Sequence, residues 1–207
     1  MKSAKSQITL FIFGALFAGF VISACNSNPP VIAAKTVAGT LPTFTFTPTP
    51  TFTLTPCMTP SSVFGDSTIE GASTNNSGSI QANKYIFPGG AIKGLSLYTS
   101  GAGQFSMALY FDNGSGTAPG NLVVQSASVA TVASPGWNTA YVTPQVLPAG
   151  TYWLAFQTDT IISTYFTFNG TTPMPLITQS FGVFPATYAG YSTCACSVIS
   201  MRADYCP

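Results

Sequence analysis

Short alternating segments separated by turn-forming residues are the feature that most limits the folds open to this chain. In the segments from Gln104 to Phe111 and from Thr151 to Gln157, apolar side chains at every second position would share one face of a strand. No stretch after residue 60 has a convincing helical period. Seven further segments are predicted to be strands: Gln81–Phe87, Ala91–Tyr98, Leu122–Val132, Trp137–Thr143, Ile161–Phe168, Leu176–Phe181 and Ser197–Tyr205. About nine strands at this spacing predict an all-β antiparallel sandwich or barrel.

The first 25 residues have the build of an export signal. Lys2 and Lys5 precede an apolar stretch from Ile8 to Ile22, and small residues lead from there to Cys25. The tetrad Ile22-Ser23-Ala24-Cys25 resembles a bacterial lipobox, which implies that Cys25 is acylated and becomes the first residue of the mature protein. An uncleaved anchor is the alternative, because this stretch approaches the length that crosses a bilayer. Both interpretations place the rest of the chain outside the cytoplasm.

A segment rich in Thr and Pro follows the lipobox. It contains the quasi-repeats Thr43–Pro48 and Thr51–Pro56. Proline every few residues prevents a helix and favours extended polyproline II structure. We therefore predict a signal peptide with its helix at residues 1–24, the acylated cysteine with a disordered tether at 25–60, and one β-sandwich domain at 61–207. The expected location is the cell envelope, on the outer membrane or the cell surface, with the lipid anchor as the contact to the membrane.

Sparse charge limits the functions open to the chain. It contains 6 Lys and Arg, 5 Asp and Glu, and no His. Without a basic cluster, nucleic acid is not expected as a partner. The absence of His removes the commonest general base and the commonest metal ligand. We predict a protein that is not an enzyme and that needs no cofactor or metal. A hydrolase would need two carboxylates in one cleft, drawn from Asp66, Glu70, Asp112 and Asp159.

Four cysteines follow Cys25, and their even number in an exported chain predicts two disulfides among Cys57, Cys194, Cys196 and Cys206. All three connectivities are open. Residues two apart in a strand lie nearly 7 Å apart, so a direct Cys194–Cys196 bridge would be strained. We expect each of these two to pair with Cys57 or Cys206. A thiolate metal site is the competing interpretation.

Several motifs together suggest a family. They are Leu109–Gly114, Ala118–Leu122, Gly136-Trp137 and Leu147–Ala155. This set resembles the jelly-roll β-sandwiches of secreted and cell-surface bacterial proteins, which are related to carbohydrate-binding modules. The resemblance spans roughly residues 62–205 and implies a jelly roll of about 8–9 strands with a display, adhesion or binding role.

Four residues are candidates for binding a ligand. Asp112 and Asn113 could offer oxygens to sugar hydroxyls or to Ca²⁺, although capping of a hairpin turn is the competing role. Trp137 and Trp153 could stack on sugar rings if they face solvent, and packing within the sandwich is the competing role. The leading functional prediction is non-catalytic binding or adhesion to a glycan or another extracellular polymer. The alternative is a structural spacer or a subunit of a surface assembly.

Overall fold

Alternation along the strands produces two stacked antiparallel sheets in a computed structural model of the chain. The structure describes residues 60, 62–160, 162–168, 173–194 and 197–207. Fourteen strands lie within these ranges: β1 Ser62–Gly65, β2 Ala72–Asn75, β3 Ser79–Phe87, β4 Gly90–Ser100, β5 Gln104–Asp112, β6 Pro119–Gln125, β7 Val129–Ala130, β8 Gly136–Leu147, β9 Gly150–Thr158, β10 Ser163–Phe168, β11 Met174–Thr178, β12 Ser192–Cys194, β13 Ser197–Ile199 and β14 Met201–Cys206. The predicted all-β fold is confirmed.

Each sheet contains seven of the described strands. In sheet A the order is β1-β14-β4-β10-β13, with β8 paired to β4 and β2 paired to β10. In sheet B the order is β12-β11-β3-β9-β5-β6, with β7 paired to β5. From β3 to β5 and from β8 to β11, each strand lies in the opposite sheet from the one before it. In these parts the chain therefore wraps around the core in the manner of a jelly roll, whereas β5 and β6 form a hairpin within sheet B.

The main core lies between the sheets and follows from the period of two. In β5, Phe105, Met107 and Leu109 point into it, and in β4 Leu95 and Leu97 do the same; all five are fully buried. A Leu-to-Ala change at such a position typically costs about 2–5 kcal/mol. This cluster therefore holds the two sheets in register.

A second cluster covers the other face of sheet B. Ala108 and Tyr110 of β5 and Trp153 of β9 are fully buried there beneath Phe184 and Tyr188 from the segment between β11 and β12. The hydroxyl of Tyr188 lies 3.0 Å from the backbone oxygens of Ile80 and Pro175 and donates its one hydrogen between them, which fixes this covering segment on the sheet. The central strands of sheet B are therefore buried on both faces.

The structure revises several strand boundaries. The predicted strand Leu122–Val132 divides into β6 and β7, because Ser126 turns inward and exchanges hydrogen bonds with Met107. The predicted strand Ser197–Tyr205 is interrupted at the buried Ser200, which bonds to Tyr165 on one side and to Tyr98 on the other. The count of about nine was too low because β1, β2 and β12, with three or four residues each, are too short to show alternation.

The predicted signal peptide, the acylated Cys25 and nearly all of the tether lie outside the described residues. In the part of the chain that the structure describes, no helix is long and apolar enough to cross a membrane.

Candidate functional site

Three aromatic rings form a line on the outer face of sheet A. Leu97 of β4 points into the core, so its neighbour Tyr98 points outward, opposite Trp137 of β8 in the strand register. The Tyr98 ring centroid lies 5.5 Å from that of Trp137 and 5.0 Å from that of Tyr165 on β10. Both contacts are edge-to-face, an arrangement that aromatic pairs prefer. All three side chains are half-buried and open to solvent. We call Tyr98, Trp137 and Tyr165 the aromatic line.

A charged pair lies beside the aromatic line. The guanidinium of Arg202, from β14, lies over the ring of Trp137 with its carbon 4.3 Å from the ring centroid. Its Nε is 3.8 Å from a carboxylate oxygen of Asp204, two residues further along the strand. The other Asp204 oxygen accepts a hydrogen bond from Ser96 at 2.8 Å, and Ser96 also bonds to Thr139. Charged and polar side chains therefore lie beside the rings on the outer face of sheet A.

Trp153 does not reach solvent. Its side chain is fully buried in the second cluster, and its indole N–H donates to Asp112 Oδ1 at 2.8 Å. The covering segment between β11 and β12 closes the ring off from a ligand. Of the two roles left open for Trp153, the structure therefore shows packing: its position opposite Tyr152, Leu154 and Phe156 leads to a second core instead of to solvent.

Asp112 and Asn113 shape the turn after β5. Asp112 Oδ2 accepts hydrogen bonds from the backbone N–H groups of Gly114 and Gly116, while Asn113 Oδ1 accepts two from Ser115. Partial burial would raise the pKa of Asp112, but the hydrogen bonds from Trp153, Gly116 and Gly114 and the charge of Lys84 outweigh it and lower the pKa. Both oxygens of Asp112 thus accept hydrogen bonds within the protein, which corresponds to the turn-capping role.

The four carboxylates considered for hydrolysis lie in three places. Asp112 and Asp159 are at opposite ends of β5, about 27 Å apart for eight residue rises, since Asp159 accepts from the N–H of Gln104. Asp66 and Glu70 lie close together beside Ser200. Burial, followed by the charge and a hydrogen bond of Asp66, raises the pKa of Glu70. Neither member of this pair lines the two cavities of about 330 and 460 Å³ among the described residues.

A groove of about 330 Å³ opens between the sheets at one end of the sandwich. Phe166, Met174 and Ile199 form its floor, and Asn76 and Gln81 lie at its rim. The rim amides bond to each other, Gln81 Nε2 donating to Asn76 Oδ1 at 2.7 Å. Phe168, which is 71% exposed, stands at its mouth. The groove offers an apolar floor but few polar groups that are not already hydrogen-bonded.

The two described cysteines lie at different ends of the sandwich. Cys194 ends β12 and lines the groove, whereas Cys206 is buried at the far end of β14. Cys57 and Cys196 lie outside the described residues. In the described ranges, no three side chains among His, Cys, Asp and Glu come together as a metal site would require.

Sequence reasoning named Trp137 but missed Tyr98, Tyr165 and Arg202. The outward direction of Tyr98 was available from its alternation with Leu97, and that of Arg202 from its alternation with Met201 and Ala203. The proximity of these residues to Trp137 could not be predicted, because the four side chains come from four strands that are far apart in sequence. No protein-family model matches the chain and no curated protein is significantly similar to it in sequence, so the surface itself carries the functional argument.

Proposed function

We propose that this chain is a lipid-anchored cell-surface protein whose sandwich binds a glycan or a similar extracellular polymer without catalysis, through the aromatic line. The observation that carries the proposal is the row of Tyr98, Trp137 and Tyr165 on the outer face of sheet A. Sugar rings present apolar C–H faces to such rings, while the partly exposed Thr139 and Asp204 provide hydrogen-bonding groups for hydroxyls nearby. A line of rings, rather than a deep pocket, suits an extended polymer.

Two features favour ligand binding over the alternative, a structural spacer or a subunit of a surface assembly. Highly exposed apolar side chains lie on different elements, with Ile86 on β3, Phe168 on β10 and Val183 in the segment after β11. In addition, β8 contains Pro144. Proline has no N–H group to donate to a strand from another molecule, which disfavours assembly by strand pairing along β8.

Affinity electrophoresis of the full chain against a panel of polysaccharides tests the proposed function. We expect retardation by at least one polymer, and a drop in affinity of about tenfold or more in Trp137→Ala, equivalent to about 1.4 kcal/mol. Ile86→Ala is the matched control, because this side chain is 82% exposed on sheet B and should not alter binding. Absence of retardation by every polymer, or equal losses in both variants, would reject the proposal.

The proposed anchor is Cys25, which the lipobox resemblance assigns to acylation. A chain that carries diacylglycerol and an amide-linked fatty acid would exceed the two signals needed for stable attachment. Metabolic labelling with a clickable fatty acid should mark the wild-type chain and leave Cys25→Ala unlabelled and released from membranes. Unchanged membrane attachment of Cys25→Ala would defeat the assignment.

A disulfide between Cys57 and Cys206 completes the proposal. The register places Ser62, five residues after Cys57 in sequence, opposite Tyr205, the neighbour of Cys206. Ser197 lies at the other end of the run that contains β13 and β14, about 30 Å from Cys206 for nine strand rises. Cysteines must have Cα atoms within about 7 Å to bond. Pairing of Cys206 with Cys194 or Cys196 is therefore disfavoured.

A further inference from the structure

Arg202 has a binding capacity that the described residues do not use. Its Nε is buried without a hydrogen-bond partner, and no hydrogen bond between described residues involves its guanidinium. Asp204 does not satisfy it, since the oxygen nearest to Nε is 3.8 Å away, beyond hydrogen-bonding distance. The other oxygen of Asp204 is held by Ser96. Because Nε is closed to solvent, a ligand would bond to the outer nitrogens of the guanidinium, which form no hydrogen bond with another described residue.

The position of Arg202 also prepares it for an anion. The guanidinium carbon lies over the Trp137 ring, 4.3 Å from the ring centroid, and the Arg202 side chain is 27% exposed, so part of the group can be reached by a ligand. Guanidinium presents its donors as a rigid planar fork that matches the two oxygens of a carboxylate. Because Trp137 orients the fork beforehand, less side-chain freedom is lost on binding.

We infer that the polymer bound by the aromatic line carries carboxylates, as in chains of uronic acid residues, and that Arg202 binds one of them in bidentate fashion. The inference rests on the function proposed above and specifies its ligand class. Tyr98 and Trp137 contact the sugar rings, while Arg202 selects the acidic residue. Asp204 opposes the incoming anion, so it limits the affinity and excludes a carboxylate from its own side of the guanidinium.

Polygalacturonate and its fully methyl-esterified form provide a matched pair of probes, because they share a backbone and differ in charge. We expect the full wild-type chain to bind polygalacturonate about tenfold or more tightly than the ester, as one bidentate charged contact warrants. Arg202→Gln should remove this preference. Arg202→Lys, which keeps the charge and loses the fork, should retain only a part of it. Asp204→Asn should strengthen binding of polygalacturonate about threefold or more by removing a like charge.

The outcomes separate the two proposals. Equal binding of both polymers by wild type would overturn the carboxylate inference and leave the glycan-binding proposal intact. If Arg202→Gln binds both probes as tightly as wild type does, and its melting curve matches that of wild type, the inference would also be overturned. Dextran sulfate binding as tightly as polygalacturonate would replace carboxylate recognition with general anion attraction and so reject it. Failure of every neutral and acidic polymer to bind would reject the proposed function itself.

Discussion

At the scale of single residues, the side chains that stand out in the sequence divide into two groups. Trp137 reaches solvent beside Arg202, whereas Trp153 is fully buried and donates to Asp112. Alternation predicts that Trp153 points away from the main core, but it does not reveal what covers the outer face. That cover comes from Phe184 and Tyr188, about 30 residues further along, and no local pattern predicts such a contact.

Asp112 should contribute to stability in a pH-dependent way. Its pKa is lower in the folded protein than its ordinary value of 3.8, so its contribution is complete above that value and is lost as the pH falls through the folded pKa. Melting curves between pH 7 and pH 2 should show a loss of stability below about pH 4 that is smaller in Asp112→Ala. At pH 7, Asp112→Ala should be destabilised by about 1–3 kcal/mol because Trp153 Nε1 is left without its acceptor. Identical pH profiles of the two proteins would contradict this role.

At the scale of elements, the long strands were predictable and the short ones were not. β5 and β9 fall within one residue of the predicted ends because each contains several alternating apolar residues. β1 and β2, with four residues each, are held by pairing to β14 and β10, which are distant in sequence. The bend at the start of β4 depends on Gly90, whose φ is +135°, a conformation that disfavours any side chain.

Replacement of Gly90 should disrupt the end of the sandwich where β4 meets β14. An added Cβ would overlap the carbonyl oxygen of Cys206, and alanine would also be strained at this φ. We expect Gly90→Ala to cost about 3 kcal/mol, or roughly 6–12 °C in melting temperature. Gly71→Ala is the control, because nothing lies within 4 Å of its added Cβ. Melting temperatures that agree between the two variants would show that this contact does not limit the fold.

At the scale of the whole molecule, β1 joins the start of the domain to its last strand through the β1–β14 pairing. The proposed Cys57–Cys206 bond would make this junction covalent at the point where the tether enters. Sequence alone left three connectivities open. Because a direct Cys194–Cys196 bridge would be strained, it favoured pairing Cys206 with either Cys194 or Cys196. The separation of the ends of β13 and β14 reverses that preference, because strand direction and register are long-range properties.

Peptide mapping of the unreduced protein should recover Cys57 linked to Cys206. The bond forms when an extracytoplasmic oxidase with its own disulfide accepts two electrons and two protons from the two thiols. Closing a loop of this length should stabilise the fold by about 5 kcal/mol in the chain-entropy model, so Cys57→Ser should melt well below wild type. A peptide that links Cys206 to Cys194 or Cys196 would contradict the assignment.

The most direct test of the account is the fluorescence response of Trp137. The chain has two tryptophans, and Trp153 is fully buried, so acrylamide quenching of the full chain reports mainly on Trp137. Titration with a polymer that retards the protein should shift the tryptophan emission and protect it from quenching, and Trp137→Phe should show neither change. An equal response in Trp137→Phe, or none in wild type with a polymer that binds, would contradict the placement of the binding site on the aromatic line.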